Sequence, residues 1–154
     1  MIELWKGARQ MAGRNNTVKW VATIAVLAHL IVVVLHGSAH TELRIELNVW
    51  QKTYVIIVIL LAPLAAVVIL WTRYYRLGLL LLLVSMAGSL VFGACYHYAI
   101  VSPDHVLHLP PGDARGLFRT TALLLLLTEM FGLVVALFGL RRSHLTTSHQ
   151  KPPC

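Results

Sequence analysis

Four stretches, residues 18–36, 53–72, 77–100 and 118–140, run almost without Asp, Glu, Lys or Arg. Each comes close to the roughly 20 residues that a helix needs to cross about 30 Å of hydrocarbon. Lipid offers a backbone no hydrogen-bond partners, so only helices and closed barrels span it. The leucine runs at 79–83 and 123–127 lack the period-two alternation of a barrel strand. The pattern predicts an all-α integral membrane protein, a bundle of four transmembrane helices forming one domain over residues 1–154. Composition agrees: the chain is 58% hydrophobic and 12% charged, with mean hydropathy +0.74, whereas soluble domains carry about 25% charged residues. A soluble enzyme, a disordered tail and a disulfide scaffold are excluded. The first run, followed by Gly37-Ser38-Ala39, has the outline of a signal peptide, but it is too long and contains His29, so it reads as a span.

Short connections let the Lys/Arg asymmetry set the orientation. Of 13 basic residues, Lys6, Arg9, Arg14, Lys19, Arg73, Arg76, Arg141, Arg142 and Lys151 fall on one side and Arg44, Lys52, Arg115 and Arg119 on the other. Both termini are therefore expected in the cytoplasm, with a cytoplasmic tail over 141–154, in a multi-pass protein of a bacterial inner membrane. The net charge of +7 then reflects topology and attraction to anionic lipid, with no nucleic-acid partner. Trp20, Trp71, Tyr74 and Tyr75 mark the inner interface, and Trp50, Tyr54, Tyr96, Tyr98 and Phe118 the outer one.

The outer connections, residues 37–52 and 101–117, are expected to be ordered. Gly37-Ser38 should interrupt the first helix. Residues 41–50 alternate Leu43, Ile45, Leu47 and Val49 with polar residues, which fits either a short extended segment or an amphipathic helix lying over the bundle end. The second connection is bracketed by Ser102-Pro103-Asp104 and Pro110-Pro111-Gly112-Asp113, two turn signals that make it a cap. Residues 1–16 read as a surface-lying amphipathic piece, and 143–154 as a frayed end.

Chemistry concentrates in the histidines. His144 and His149 fall in the tail, and the other six, His29, His36, His40, His97, His105 and His108, lie in or just above the outer half of the bilayer, near Cys95, Glu42 and Asp104. At about 3.6 residues per turn, His29, His36 and His40 share one helix face if the helix survives Gly37. His36, His40, His97, His105 and His108 form a candidate metal set, since imidazole and carboxylate suit zinc, copper(II) or iron(II). His36 and His97, or His29 in place of His36, are alternatively at matching depth for the axial ligands of a b-type haem. Ser85, Ser89 and Gly93 provide either room for a porphyrin or a close helix contact.

Glu129 lies near the bilayer centre, where an unpaired charge costs about 2.5–3.5 kcal/mol, so it must face the bundle interior. His29 is its nearest candidate partner on another helix, and Thr121 and Thr128 are nearer on its own. A line of His36, His29 and Glu129 suits proton movement or a polar clasp. Pro63 is expected to free a backbone carbonyl and kink the second helix, and Gly132-x-x-x-Ala136 reads as packing. Cys95 and Cys154 lie at opposite ends and cannot pair. No catalytic motif is recognisable.

The leading expectation is a membrane protein that binds a metal ion or haem b through histidines at the outer end, as a redox or accessory subunit of a larger assembly or as a homo-oligomer. A small proton-coupled transporter or channel using Glu129 and His29, and a structural subunit without cofactor, are the alternatives.

Overall fold

A computed structural model describes residues 2–148, with side chains described over 15–143, and contains helices and no strand among the described residues. Helix α1 (Ile2–Glu42) is the first rod. The second joins α2 (Val49–Tyr54), a π-helical segment (Val55–Leu61) and α3 (Ala62–Leu70). The third is α4 (Tyr75–Ala94) with a π-helical end (Cys95–Ala99), and the fourth is α5 (Arg115–Ser148). Four helices, Asn15–Glu42, Val49–Leu70, Tyr75–Ala99 and Arg115–Ser143, are long and apolar enough to cross a membrane. The piece expected to lie on the surface over 1–16 instead continues α1, and the expected frayed end is helical to Ser148. His149, Lys151 and Cys154 lie outside the described residues, as do the side chains of Lys6, Arg9, Arg14 and His144.

The rods are apolar on every face, as membrane helices are. On α1 the outward Ile24, Ile31 and Val34 are more than 60% exposed, while Ala22, Val26, His29 and His36 face the bundle. α1 packs along α5, α5 along α4 and α4 along α3. Small residues permit these approaches: a Cβ on Gly78 would stand 2.7 Å from the Leu70 backbone nitrogen, and Met86 and Leu79 fill the spaces over Gly132 and Gly139. Ala136 is fully buried in the same contact, as packing through Gly132-x-x-x-Ala136 requires.

The end of the bundle that carries the two longer connections is closed by its own local chemistry. Gly37 does not interrupt α1. One glycine costs a helix only about 1 kcal/mol, and the turns beyond it are anchored by fully buried Ala39 in a cluster with Leu43, Ile45, Leu109, Ala114, Phe118 and Ala122. The helix ends five residues later, at Glu42, in paired reverse bonds, Ile45 N–H to His40 O at 3.0 Å and Arg44 N–H to Thr41 O at 3.2 Å, with Arg44 at φ 53°. This is a Schellman cap with arginine in the left-handed position usually held by glycine. α2 then starts at a capping box in which Asn48 and Gln51 exchange side-chain bonds of 2.9 Å. The alternation over 41–50 therefore resolves into a helix end, a turn and a new helix start. Leu43, Ile45 and Leu109 cover the bundle end, hereafter the capped end.

Pro63 shapes the second rod. In α-helical register its missing N–H would have served the Ile59 carbonyl, and the turns before it are widened into the π-helical segment. His29 supplies the donor from α1, with Nε2 3.3 Å from Ile59 O, and its Nδ1 lies 3.3 Å from Thr128 Oγ1 of α5. One fully buried imidazole thus ties three rods. Replacing His29 by Leu is expected to cost about 2 kcal/mol, because a buried carbonyl loses its partner, and clearly less in a Pro63→Ala background that restores an N–H to residue 63. Unfolding titrations of the four variants in detergent check this, and equal costs in both backgrounds would rule out the bond to Ile59 as the reason.

Candidate functional site

Below the capped end lies a cavity of about 580 Å³ between α1, the second rod, α4 with its π-helical end, and α5. Its walls have two characters. His36, His40, His97, Asp104 and Glu129 line the polar side, and Val33, Val55, Ile59, Phe92 and Leu125 are among the apolar lining. Arg44, Glu46 and Lys52 stand with them near the capped end.

His36 and His40 meet on one face of α1, as their spacing anticipates, and His97 joins them from the third rod. The His36 ring centroid lies 4.8 Å from those of both His40 and His97, in edge contacts, with Phe118 against all three rings. The carboxylate of the cluster is Asp104, whose Oδ1 is 3.1 Å from His40 Nε2 and 4.0 Å from His97 Nδ1. Glu42 is exposed. Local sequence explains the placement of Asp104: Ser102-Pro103 turns the chain, Asp104 N–H donates to Ser102 Oγ, and Val106 N–H reaches back to His97 O at 3.0 Å.

Hydrogen bonding fixes the ring tautomer of His97 and favours the same one for His36. Thr121 Oγ1 has one proton, directed to Leu117 O at 2.7 Å and shared with Phe118 O at 3.1 Å, so it accepts from His36 Nδ1 at 2.9 Å. The carbonyl of Asp104 only accepts, so His97 Nδ1 carries the proton of their 3.1 Å bond. Both imidazoles therefore hold Nε2 as a lone-pair nitrogen, with Nδ1–H pinned from behind. Metal-bound histidines are commonly oriented in this way. His40 Nε2 lies 3.2 Å from His36 Nε2 and is the donor between them.

The polar side is under-satisfied. His40 Nδ1, both carboxyl oxygens of Asp104 and Glu129 Oε2 are buried without a hydrogen-bond partner, and all belong to this one cavity. Native interiors rarely leave such groups bare. Burial pushes the Asp104 carboxyl up to about 7, because the ionised form loses its hydration and no hydrogen bond replaces it.

His105 and His108 lie apart from this group. His105 donates from Nε2 to Tyr98 O at 3.2 Å and accepts at Nδ1 from Leu107 N–H at 3.2 Å, so both nitrogens fasten the loop. His108 is exposed, its ring 5.0 Å from that of His105. His29 sits deeper and is engaged by Ile59 and Thr128, so the expected pairing with Glu129 gives way to these bonds. Thr121 and Thr128 serve the two α1 histidines rather than Glu129. Glu129, 2% exposed, directs Oε2 to the space beside Gly93, where a Cβ would lie 3.8 Å from that oxygen and 3.9 Å from His97 Cδ2. Ser85 and Ser89 donate to carbonyls of their own helix, leaving Gly93 as the small residue that opens this space.

Three imidazoles and a carboxylate, donors of the kind that suits a borderline divalent cation, thus line one cavity, with His40 bonded to the His36 nitrogen. Among the described residues no group of three or more His, Cys, Asp or Glu side chains is arranged so that it could hold a metal ion. No family model matches the chain, and neither a curated protein nor a solved structure matches it significantly.

Proposed function

We propose that this chain is an integral membrane protein that binds one divalent transition-metal ion through His36, His40, His97 and Asp104 at the capped end. The observation that carries the reading is the combination of two histidines with Nδ1–H pinned and a lone pair on Nε2, that of His36 taken up by His40, beside a buried aspartate with no hydrogen-bond partner on either oxygen. Zinc, copper(II) and iron(II) suit nitrogen and oxygen ligands of this kind. A single ion fits better than haem b. Axial imidazoles must face an iron from opposite sides of a flat macrocycle, whereas His36 and His97 are in edge contact at 4.8 Å. The excess of basic residues on the other side of the bundle supports cytoplasmic termini and a site facing out of the cytoplasm, in a bacterial inner membrane. The role is that of an accessory or redox subunit of a larger membrane assembly, or of a homo-oligomer. A proton-coupled transporter built on Glu129 and His29 draws support from Glu129 alone, since His29 is committed to holding three rods.

The test is elemental mass spectrometry of the gently solubilised full chain, before and after incubation with zinc, copper(II) or iron(II). About one ion per chain is the expected result. A chain that takes up none of the three metals would overturn the proposal and leave the cluster as packed neutral imidazoles, and a Soret band would overturn it in favour of haem.

A further inference from the structure

The metal reading does not use Glu129. Its Oε2 is buried, has no hydrogen-bond partner and lies beside Gly93, and Glu129 lines the cavity together with the apolar Val33, Val55, Ile59, Phe92 and Leu125. A carboxyl in such a place is satisfied by a group that both donates and accepts, which suits it whether ionised or protonated. A hydroxyl does this, and the apolar lining around it fits a hydrocarbon body. The bundle also has a way in for such a molecule. α1 packs along α5 and meets α3, and the His29 bond to Ile59 O ties it to the second rod at mid-depth. Above that tie the two rods form facing walls of the cavity, Val33, Gly37 and Thr41 against Lys52 and Val55, with Gly37 bringing no side chain into the gap.

We propose that this cavity is a binding site for a lipid-soluble alcohol, which enters from the membrane between α1 and the second rod and sets its hydroxyl on Glu129 Oε2. The alcohol's O–H donates to the carboxylate oxygen, or its oxygen accepts from the protonated carboxyl, while the chain lies along Val33, Val55 and Ile59 toward the gap. Nothing in this fit requires a metal at the histidines. The cavity volume is that of a ligand site for a molecule of moderate size.

The test uses photoreactive diazirine analogues of hexadecanol and of the matched alkane, cross-linked to the full chain in nanodiscs and mapped by peptide mass spectrometry. The alcohol is expected to label the peptides carrying Val33, Val55 and Phe92 about tenfold more than the alkane, which neither donates nor accepts. Glu129→Leu should remove that preference. Val55→Trp, which narrows the gap without touching Glu129, should cut labelling by both probes at these positions, and Glu129→Gln, which still donates and accepts, should retain part of the preference. Equal labelling by alcohol and alkane, or labelling confined to the lipid-facing Ile24, Ile31 and Val34, would overturn the proposal. Metal content, measured on the same samples, is expected to stay at the wild-type level in all three variants, so failure of the alcohol site and failure of the metal site are read separately.

Discussion

A His36→Ala variant is expected to lose metal affinity by at least about 100-fold while remaining folded, and Thr121→Val is expected to lose roughly 10- to 100-fold although its side chain touches no metal. Thr121 Oγ1 gives its only hydrogen to the α5 backbone and receives that of His36 Nδ1 at 2.9 Å, which leaves His36 Nε2 as the donor nitrogen. Valine keeps the shape and removes the acceptor, so the ring is free to turn or to place its proton on Nε2. A packing role for His36 predicts something different: both variants would change unfolding midpoints, and any bound metal would remain. Competition titrations with a chromogenic chelator, run beside thermal scans of the same samples, separate the two. Full affinity in Thr121→Val would remove the tautomer argument, and full affinity in His36→Ala would remove the site.

Asp104 gives the second large effect, and its direction reverses with metal. Burial raises its carboxyl from 3.8 to about 7 in the fold, so between about pH 4 and 7 the folded chain holds a proton that the unfolded chain has released. Stability of the metal-free protein therefore falls as pH rises through that window and is level above it. The full shift corresponds to at most about 4 kcal/mol. The ionisable side chains in ion-pair range of it among the described residues are His40 and His97; protonation of either at the acid end would flatten the lower part of the slope. Asp104→Asn removes the charge and should raise the unfolding midpoint of the metal-free protein at pH 8 while leaving it nearly unchanged at pH 4. With metal present the ionised carboxylate acquires a cation, so the same substitution should weaken binding by roughly 10-fold or more, since a ligand bond is lost. Thermal scans at the two pH values, with chelator and with zinc, measure both signs. A stability gain in zinc as large as that in chelator would mean that Asp104 is no ligand.

Much of this architecture is written along the chain. Four apolar runs and a backbone that cannot hydrogen-bond to lipid leave little besides four helices, and Pro63, with no N–H to give, marks where one of them must deviate. The depth of Glu129 and the shared face of His29, His36 and His40 follow from helical rise and turn alone. A further register was present and easily missed: His29 and His36 are seven residues apart on α1, Thr121 and Thr128 seven apart on α5, and antiparallel packing sets His36 on Thr121 and His29 on Thr128. Reading it requires knowing that these two helices are neighbours, and apolar runs do not specify neighbours.

Tertiary structure decided the rest, because the deciding contacts join residues far apart in sequence. Gly37 looks like a helix end, yet burial of Ala39 against Phe118 and Ala122 outweighs a local cost of about 1 kcal/mol. That extra stretch of helix carries His40 to His36 and Asp104. His105 and His108 matched His40 in residue type and in side of the membrane, but the turn at Pro103 sends Asp104 inward and spends both nitrogens of His105 on the loop. Sequence determined a bundle of four helices long and apolar enough to cross a membrane, with histidines toward one end, since hydropathy and period act locally. Which histidines meet, and which acid joins them, depended on how four rods and two loops close over one cavity.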